Sequence, residues 1–526
     1  MQADLILANV RVIDTAKLAR LPSKISVLAV NGEKIVACGG REILRDYRGA
    51  ATRVIDCQQG VLLPGFNDAH CHIATYASSL LHLDMSPRAV SSIEEMKSVI
   101  RARAMTLPAG EWITGSGYDE FRLREGRHPL RGDLDEAAPA HPVRLIHRTG
   151  YAWVMNSVAL KLANITVNTP EPEDGYIDRD QSGEPDGLLF GMDDFLEARL
   201  EPLLHKAGEI EKGLSLANRE YLARGITSLQ DATISNDLKQ WRFFKKIVKD
   251  GVLKSRVTFM PGYRSFAEFL DEGFKPGQAA GPSASDGNRL RLGPVKVVVN
   301  MARGRIHPQQ EELDRIALEI HRSGFQMAMH SLEVETLEAE LKAVTAALVS
   351  CPRKNHRHRI EHCSLCPPHL LKILKDAGLI VVSQPAFLYC SGDRYLSHVP
   401  QEQRLWLYSI GSFHRAGIRV AFSSDSPVAE PNPLTGLYGA VARLTELGKD
   451  ILPIEFISLP EAIQMYTYNG ACASFEEKVK GSIGEGKLAD LILLKPGPLD
   501  AGVKSLKDVK VMLTVVGGVV VHEGKP

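Results

Sequence analysis

The chain has 526 residues and a mass of 57.7 kDa, with 44% hydrophobic, 24% charged and 6% aromatic residues. That composition supplies a large apolar core and excludes disordered, collagen-like and coiled-coil chains. Lys+Arg and Asp+Glu each number 63, for a formal net charge of zero, so no bulk field draws the chain to nucleic acid or an anionic membrane. The first residues, MQADLILANVRVID, place Asp4 before any basic group and alternate like a strand, unlike a secretory signal. The longest apolar run, Val511 to Val521, is interrupted by Gly517 and Gly518 and is far shorter than the roughly 20 residues of a membrane span. Eight Cys in so long a chain do not suggest a disulfide framework, and the expected setting is the cytoplasm with reduced thiols.

In chain order, the N-terminal segment reads as short strands: Asp4–Asp14, Lys24–Val30, Lys34–Cys38 and Thr52–Asp56, with Asn31-Gly32 as a hairpin turn between the middle two. The middle of the chain alternates. Candidate strands are Gly65–His72, Gly225–Ala232, Arg256–Gly262, Pro294–Asn300, Phe325–Ser331, Arg357–Cys363, Leu379–Gln384 and Arg419–Asp425. Helical patterns fall at Glu211–Arg224, Leu238–Lys249, Pro308–Arg322, Val334–Val349, Pro367–Lys375 and Gln401–Arg415. Eight strands with intervening helices predict an α/β fold, a (β/α)8 TIM barrel. The gap between the first two strands is too long for an ordinary connection. The C-terminal strands Ala489–Leu494, Val509–Val515 and Gly518–His522 repeat the N-terminal style, so the two ends are expected to pair. The predicted division is a β-sandwich part at 1–63, the first barrel strand at 64–80, an inserted α+β subdomain at 81–210, the rest of the barrel at 211–474, and the second β-sandwich part at 475–526.

Chemistry-bearing residues gather where these strands end. The first strand closes on Asp68-Ala69-His70-Cys71-His72, and residues i and i+2 of a strand share a face. The fourth carries Lys296, the fifth ends in Met329-His330, the sixth in Glu361-His362 and the eighth in Ser424-Asp425-Ser426-Pro427. The C-terminal rim is where barrel active sites are built. Imidazoles with a carboxylate and no thiolate set suit Zn²⁺ or a similar divalent metal. Such a metal lowers the pKa of water, and a nearby carboxylate relays the proton to a leaving group, which is the logic of metal-assisted hydrolysis.

These segments, together with Gly225-Ile226-Thr227-Ser228, His358-Arg359-Ile360-Glu361-His362 and the tail Gly481-Ser482-Ile483-x-x-Gly486-Lys487-Leu488-Ala489-Asp490-Leu491, resemble the amidohydrolase superfamily. The branch they look like is the YtcJ-like amidohydrolases, which include N-substituted formamide deformylases. The resemblance implies a TIM barrel with a composite β-sandwich and a divalent metal centre of one or two ions. By position, His70 and His72 would bind one metal with Asp425, and His330 and His362 a second. Lys296 falls where some members hold a carboxylated lysine that bridges the two. The activity implied is hydrolysis of a non-peptide C–N bond in a small amide, N-acyl, N-formyl or cyclic amide compound. Asp425 would move the proton, and His362 or a pocket group would help hold the oxyanion. A homodimer is compatible with this reading.

The chain also departs from the branch. Thr149-Gly150-Tyr151 stands where Asp-Gly-His is usual before Asn156-Ser157, and Asn300-Met301-Ala302-Arg303-Gly304 follows the lysine. Tyr151, Asn156 and Arg303 are therefore the candidate substrate-facing residues. Other readings compete. An esterase or lactonase could use the same centre, and a ligand-binding barrel would keep the fold without turnover. Glu361 could support His362 or face outward in an ion pair, and Asp231 reads as a cap. Gly481 to Lys487 spells a phosphate-loop pattern, but Leu488 replaces the hydroxyl residue that pattern requires.

Overall fold

Eight parallel strands close into a barrel in the computed structural model, which describes residues 2–13, 15–16, 25–172, 175–192, 195–196, 199–200, 208–281, 289–302, 304–495 and 502–524. The barrel strands are β1 (Phe66–Cys71), β2 (Ile226–Asp231), β3 (Arg256–Phe259), β4 (Val295–Val298), β5 (Met327–Ser331), β6 (Arg359–His362), β7 (Ile380–Ser383) and β8 (Arg419–Phe422). β1, β2 and β3 pair in sequence, and β4 through β8 form a second parallel run. A Gly262–Lys296 bridge joins β3 to β4. The last seam is closed by backbone bonds from Asp425 N to His70 O (2.8 Å) and from His72 N to Ser426 O (2.9 Å). The barrel seam therefore runs through the predicted metal residues themselves.

The helices follow from apolar spacing. Gln310–Arg322 buries Leu313, Ile316, Ala317 and Ile320, a single stripe at three- and four-residue intervals. Leu238–Lys249 buries Leu238, Trp241, Phe244 and Ile247, and the Asp237 carboxylate caps it by accepting from Gln240 N. One expectation is corrected here. The pattern at Gln401–Arg415 is two short helices, Gln401–Arg404 and Ile410–Arg415. Tyr408 between them takes a left-handed backbone, φ 46°, and its N–H bonds Ser364 O. Docking onto the end of β6 overrides the local helical pattern.

The two chain ends do pair. Val61–Pro64 runs antiparallel to Leu491–Lys495 in a five-stranded sheet that continues through Lys510–Val516 and Val519–Glu523. A second sheet of Lys34–Gly39, Val27–Asn31, Leu5–Ala8 and Arg53–Asp56 faces it across Leu7, Leu28, Leu62, Leu491 and Val515. Between β1 and β2 stands a six-stranded sheet, with the helices Ile93–Ala104 and Arg131–Ala137 packed on one face through Met96, Ile100 and Leu134. No described helix is long and apolar enough to cross a membrane.

The tail motif acquires a physical role. Asp490, buried, receives Arg256 from β3 through Nε (2.7 Å) and Nη2 (3.0 Å), and also the N–H of Gly517 (2.8 Å). This bidentate pair ties the β-sandwich to the barrel. Removing one member of a buried pair strands the other charge. Asp490→Ala should cost about 3 kcal/mol in urea unfolding, Glu33 at 3.6 Å compensating in part. Metal bound per folded molecule should stay unchanged, and an unaltered urea midpoint would show that the pair is not a structural tie.

Candidate metal centre

β1 delivers His70 and His72, and β8 delivers Asp425 just past its end. His72 Nε2 lies 3.1 Å from Asp425 Oδ1, and His70 Nε2 lies 3.5 Å from the same oxygen. These three residues offer ligand atoms mutually within 4.8 Å. Lys296 on β4 places Nζ 3.5 Å from His70 Nε2. The His362 ring at the end of β6 is 4.9 Å from that of His70 and 4.5 Å from that of His330 on β5, centroid to centroid. All six residues expected at the rim are thus brought to one place.

The rings of His70, His72 and His362 are each held by their outward nitrogen. His70 Nδ1 donates to Glu361 Oε2 at 2.5 Å. Glu361 is in turn held by Arg359 through Nε (2.7 Å) and Nη2 (2.8 Å), both side chains at 0% exposure. Arg359 also donates to Gln230 Oε1 and Ala69 O, which binds β1 to β6 from inside the barrel. His362 Nδ1 donates to Gln384 Oε1 (2.8 Å), whose amide is oriented by its own donation to Ser423 Oγ. His362 Nε2 is left buried with no hydrogen-bond partner. His72 Nδ1 meets Thr233 Oγ1 at 3.2 Å. Hydrogen-bonding one imidazole nitrogen to a carboxylate or carbonyl aims the other at a metal.

Backbone conformation matters here. Arg359 and Glu361 share the barrel-facing side of β6 by alternation, and a regular strand would turn His362 away. His362 and Cys363 adopt φ values of 65° and 50°, and Asp425 one of 56°. These left-handed conformations carry strain in non-glycine residues, and they turn the two ligand-bearing side chains inward.

The electrostatics suit a cation. Burial pushes the pKa of His70 and His330 well below the ordinary imidazole value, with Lys296 next in effect at His70 and His362 next at His330. Burial likewise lowers His362. Neutral imidazoles with free lone pairs are the ligand form. Burial alone would raise Asp425, but the His72 hydrogen bond and the His70 and His362 rings hold it well below the usual carboxylate range. Burial lowers Lys296 against the pull of Glu361 and Asp425. The orphaned His362 nitrogen and this set of neutral nitrogens with one carboxylate fit a divalent metal.

Beside the centre, Asp68 staples β1 to β8 through Ser424 N (2.9 Å) and Ser424 Oγ, and burial lifts its pKa to about 7. Asp231 is a backbone anchor, accepting from Ile73 N, Thr233 N and Asn236 Nδ2. Glu361, Arg359, Gln384 and Thr233 are the supporting residues that sequence reasoning undervalued. The strand alternation of Arg359 and Glu361 was the available signal for the first two.

The substrate-facing expectations fare differently. Asn156 is corrected: it is fully buried, caps Ser157–Leu162, accepts from Ala159 N and Val143 N, and donates to His141 O. With those groups committed inside the inserted subdomain, it has none to offer a substrate. Tyr151 is half-exposed, its ring 6.2 Å from that of Phe190 on the inserted sheet. Arg303 lies outside the described residues. Of the two expected oxyanion holders, His362 or a pocket group, the first is corrected. Its one N–H is spent on Gln384, so it presents a lone pair and not a donor. A second group, Asp119, Glu120 and His147, has ligand spacing, but Arg394 already sits on both carboxylates at 2.5 and 2.8 Å and supplies the cation.

The family model described as "Amidohydrolase family" matches residues 53–522. The chain belongs to the amidohydrolase family. It is a hydrolase of carbon–nitrogen bonds. It is 28% identical to the N-substituted formamide deformylase of Arthrobacter pascens, over 99% of this chain and 98% of that one. It is 25% identical to YtcJ of Bacillus subtilis strain 168, over 93% and 94%. An uncharacterized metal-dependent hydrolase from Pyrococcus horikoshii OT3 superposes with a TM-score of 0.73 at 21% identity, covering 94% of this chain and 98% of that one, and shares the fold.

As an amidohydrolase, the chain should depend on Glu361 for metal retention. Glu361→Gln keeps the shape but weakens the acceptor that orients His70. Metal affinity should fall by about 10- to 100-fold in competition with a chelator. An affinity equal to wild type would assign Glu361 to Arg359 alone.

Proposed function

We propose that this amidohydrolase cleaves a small non-peptide amide, N-acyl or N-formyl compound at a zinc centre formed by His70, His72 and Asp425, with His330 and His362 completing a second position. The observation that carries the reading is His362 Nε2, a buried imidazole lone pair with no partner, facing neutral histidines and an ionised aspartate. Zinc bound there would polarise the carbonyl and acidify water. Asp425 Oδ1, between His70 and His72, accepts the proton and returns it to the departing nitrogen. His70 and His72 stay oriented through Glu361 and Thr233 while that proton moves. The formamide deformylase named among the relatives makes N-substituted formamides the first substrates to test, with matched esters to separate an amidase from an esterase.

Asp425→Asn keeps an oxygen and removes the base. Turnover per metal-loaded folded molecule should drop by about 10²–10⁴, with metal content only modestly reduced. Near-normal turnover on that basis would refute the relay and leave Asp425 a structural residue.

Lys296 is proposed to be carboxylated. Its Nζ is buried beside His70 Nε2, and burial favours the neutral amine that attacks carbon dioxide, forming the N–C bond and releasing a proton. The resulting anion would bridge the two metal positions. Lys296→Ala should lose the second metal equivalent in elemental analysis, and short carboxylic acids should restore part of the activity. Full activity with unchanged metal content would make Lys296 structural.

A further inference from the structure

Arg148 carries the inserted sheet to the loops of the metal centre. It follows the strand Val143–His147, and its own N–H bonds Tyr118 O at 3.0 Å, at the end of the neighbouring strand Ile113–Tyr118. From there its Nη2 donates to Val428 O at 3.3 Å and to Cys390 Sγ at 3.6 Å. Val428 lies on the loop after β8, and Cys390 ends the helix Ala386–Cys390 that follows β7. One guanidinium thus joins two rim segments. The first carries Asp425, and the second begins beside Gln384, the amide that orients His362.

The contact on the β8 side is close to the chemistry. Val428 N–H returns to Asp425 O at 2.9 Å and closes a four-residue turn. Asp425 stands at φ 56°, and a non-glycine residue persists there only where its surroundings over-determine it. Arg148 fastens the far end of that turn. Arg148 is itself held, with Nη1 3.7 Å from Asp119 Oδ2 at side-chain exposures of 13% and 6%. Arg394, on the rim helix Gly392–His398, reaches the opposite way onto Asp119 (2.5 Å) and Glu120 (2.8 Å). Two arginines therefore cross the seam in opposite directions and meet on one buried carboxylate. The apolar clusters of the inserted sheet, around Met96 and Leu145 and around Met155 and Leu189, take in no described barrel residue. Polar contacts of this kind therefore weigh heavily in how the sheet seats on the rim.

We propose that Arg148 is a positioning residue for the hydrolysis: it fixes the turn that presents Asp425 and so makes the inserted sheet a working part of the metal centre. The proposal rests on the reading of Asp425 as metal ligand and proton carrier. A misplacement of about 1 Å in a reacting group is enough to cost about 10²-fold in rate. A planar guanidinium, whose donors are fixed relative to one another, suits a tie that must hold two loops at once.

Arg148→Met in the full chain keeps an apolar stem and removes the donors. Hydrogen exchange of the amides at 425–428 should speed up by at least about tenfold. The visible absorption of the cobalt(II)-loaded protein should shift in the same direction as in Asp425→Asn. Turnover of an N-substituted formamide should fall by about 10- to 100-fold, with KM nearly unchanged. Arg122→Gln is the control: it breaks the more exposed Arg122–Glu446 pair on the same seam and should leave exchange and spectrum at wild type. Arg148→Gln, too short to reach Val428 O, replaces the methionine variant if that one does not fold. Wild-type exchange and spectrum in Arg148→Met overturn the proposal, as does an Arg122→Gln protein that matches it. If Asp425→Asn leaves the cobalt spectrum unchanged, the reading of Asp425 fails instead, and the exchange rates alone decide whether Arg148 holds the turn.

Discussion

The buried chain Arg359–Glu361–His70 is the interaction on which the centre depends. Two opposite charges at 0% exposure are costly unless they are paired and hydrogen-bonded, and here both are. The guanidinium spends its donors on Glu361, Gln230 and Ala69 O, and the carboxylate spends its remaining capacity on His70 Nδ1. The pair thereby converts a charge buried in the barrel into the direction of one imidazole lone pair. It also links β1, β2 and β6 across the barrel interior, so the orientation of the ligand and the closure of the barrel rest on the same atoms.

Around that chain the other ligands are set by smaller devices of the same kind. Gln384 fixes His362, and Thr233 meets His72. Asp68 locks β1 to β8 so that His70 and Asp425 face one another. The left-handed backbone at His362 and Asp425 is strain placed at the rim, where rotation of a side chain by one strand position is what brings it into the cluster. Preorganisation of this sort makes the geometry a property of the fold and not of the bound ion.

Much of this was legible in the chain. Parallel strands buried on both faces read as short apolar runs, and their ends carried His70, His330, His362 and Asp425 in plain sight. The pairing of the two termini could be read from their matching β-branched style. The inward turn of His362 and the role of Asn156 could not, for opposite reasons. Whether His362 joins Glu361 on the barrel-facing side turns on the left-handed backbone at His362 and Cys363, which no side-chain pattern records. Asn156 is polar and sits in a loop beside an aromatic stretch, yet its side chain is consumed by capping a short helix and by the backbone of the neighbouring strand. Local spacing cannot tell a cap from a contact. The broken helix at Tyr408 shows the same limit, since tertiary docking of Tyr408 on Ser364 outweighs several residues of helical propensity.

Charge accounting sets Lys296 apart from other buried cations. Arg256, Arg359 and Lys480 each meet a carboxylate within ion-pair distance. Lys296 does not, among the described residues, and its nearest polar contact is a neutral imidazole. A buried amine in that position destabilises the cluster as a cation and would repel any metal brought to His70. The proposed carboxylation would reverse its sign, turning a group that opposes metal binding into one that could join the ligands. The same reasoning explains why burial is useful at Lys296: it lowers the cost of losing the proton, which is the step that must come first. The proposed carboxylation of Lys296 would therefore be coupled to metal binding, each making the other more favourable, with the barrel interior supplying dry surroundings that strengthen the coupling.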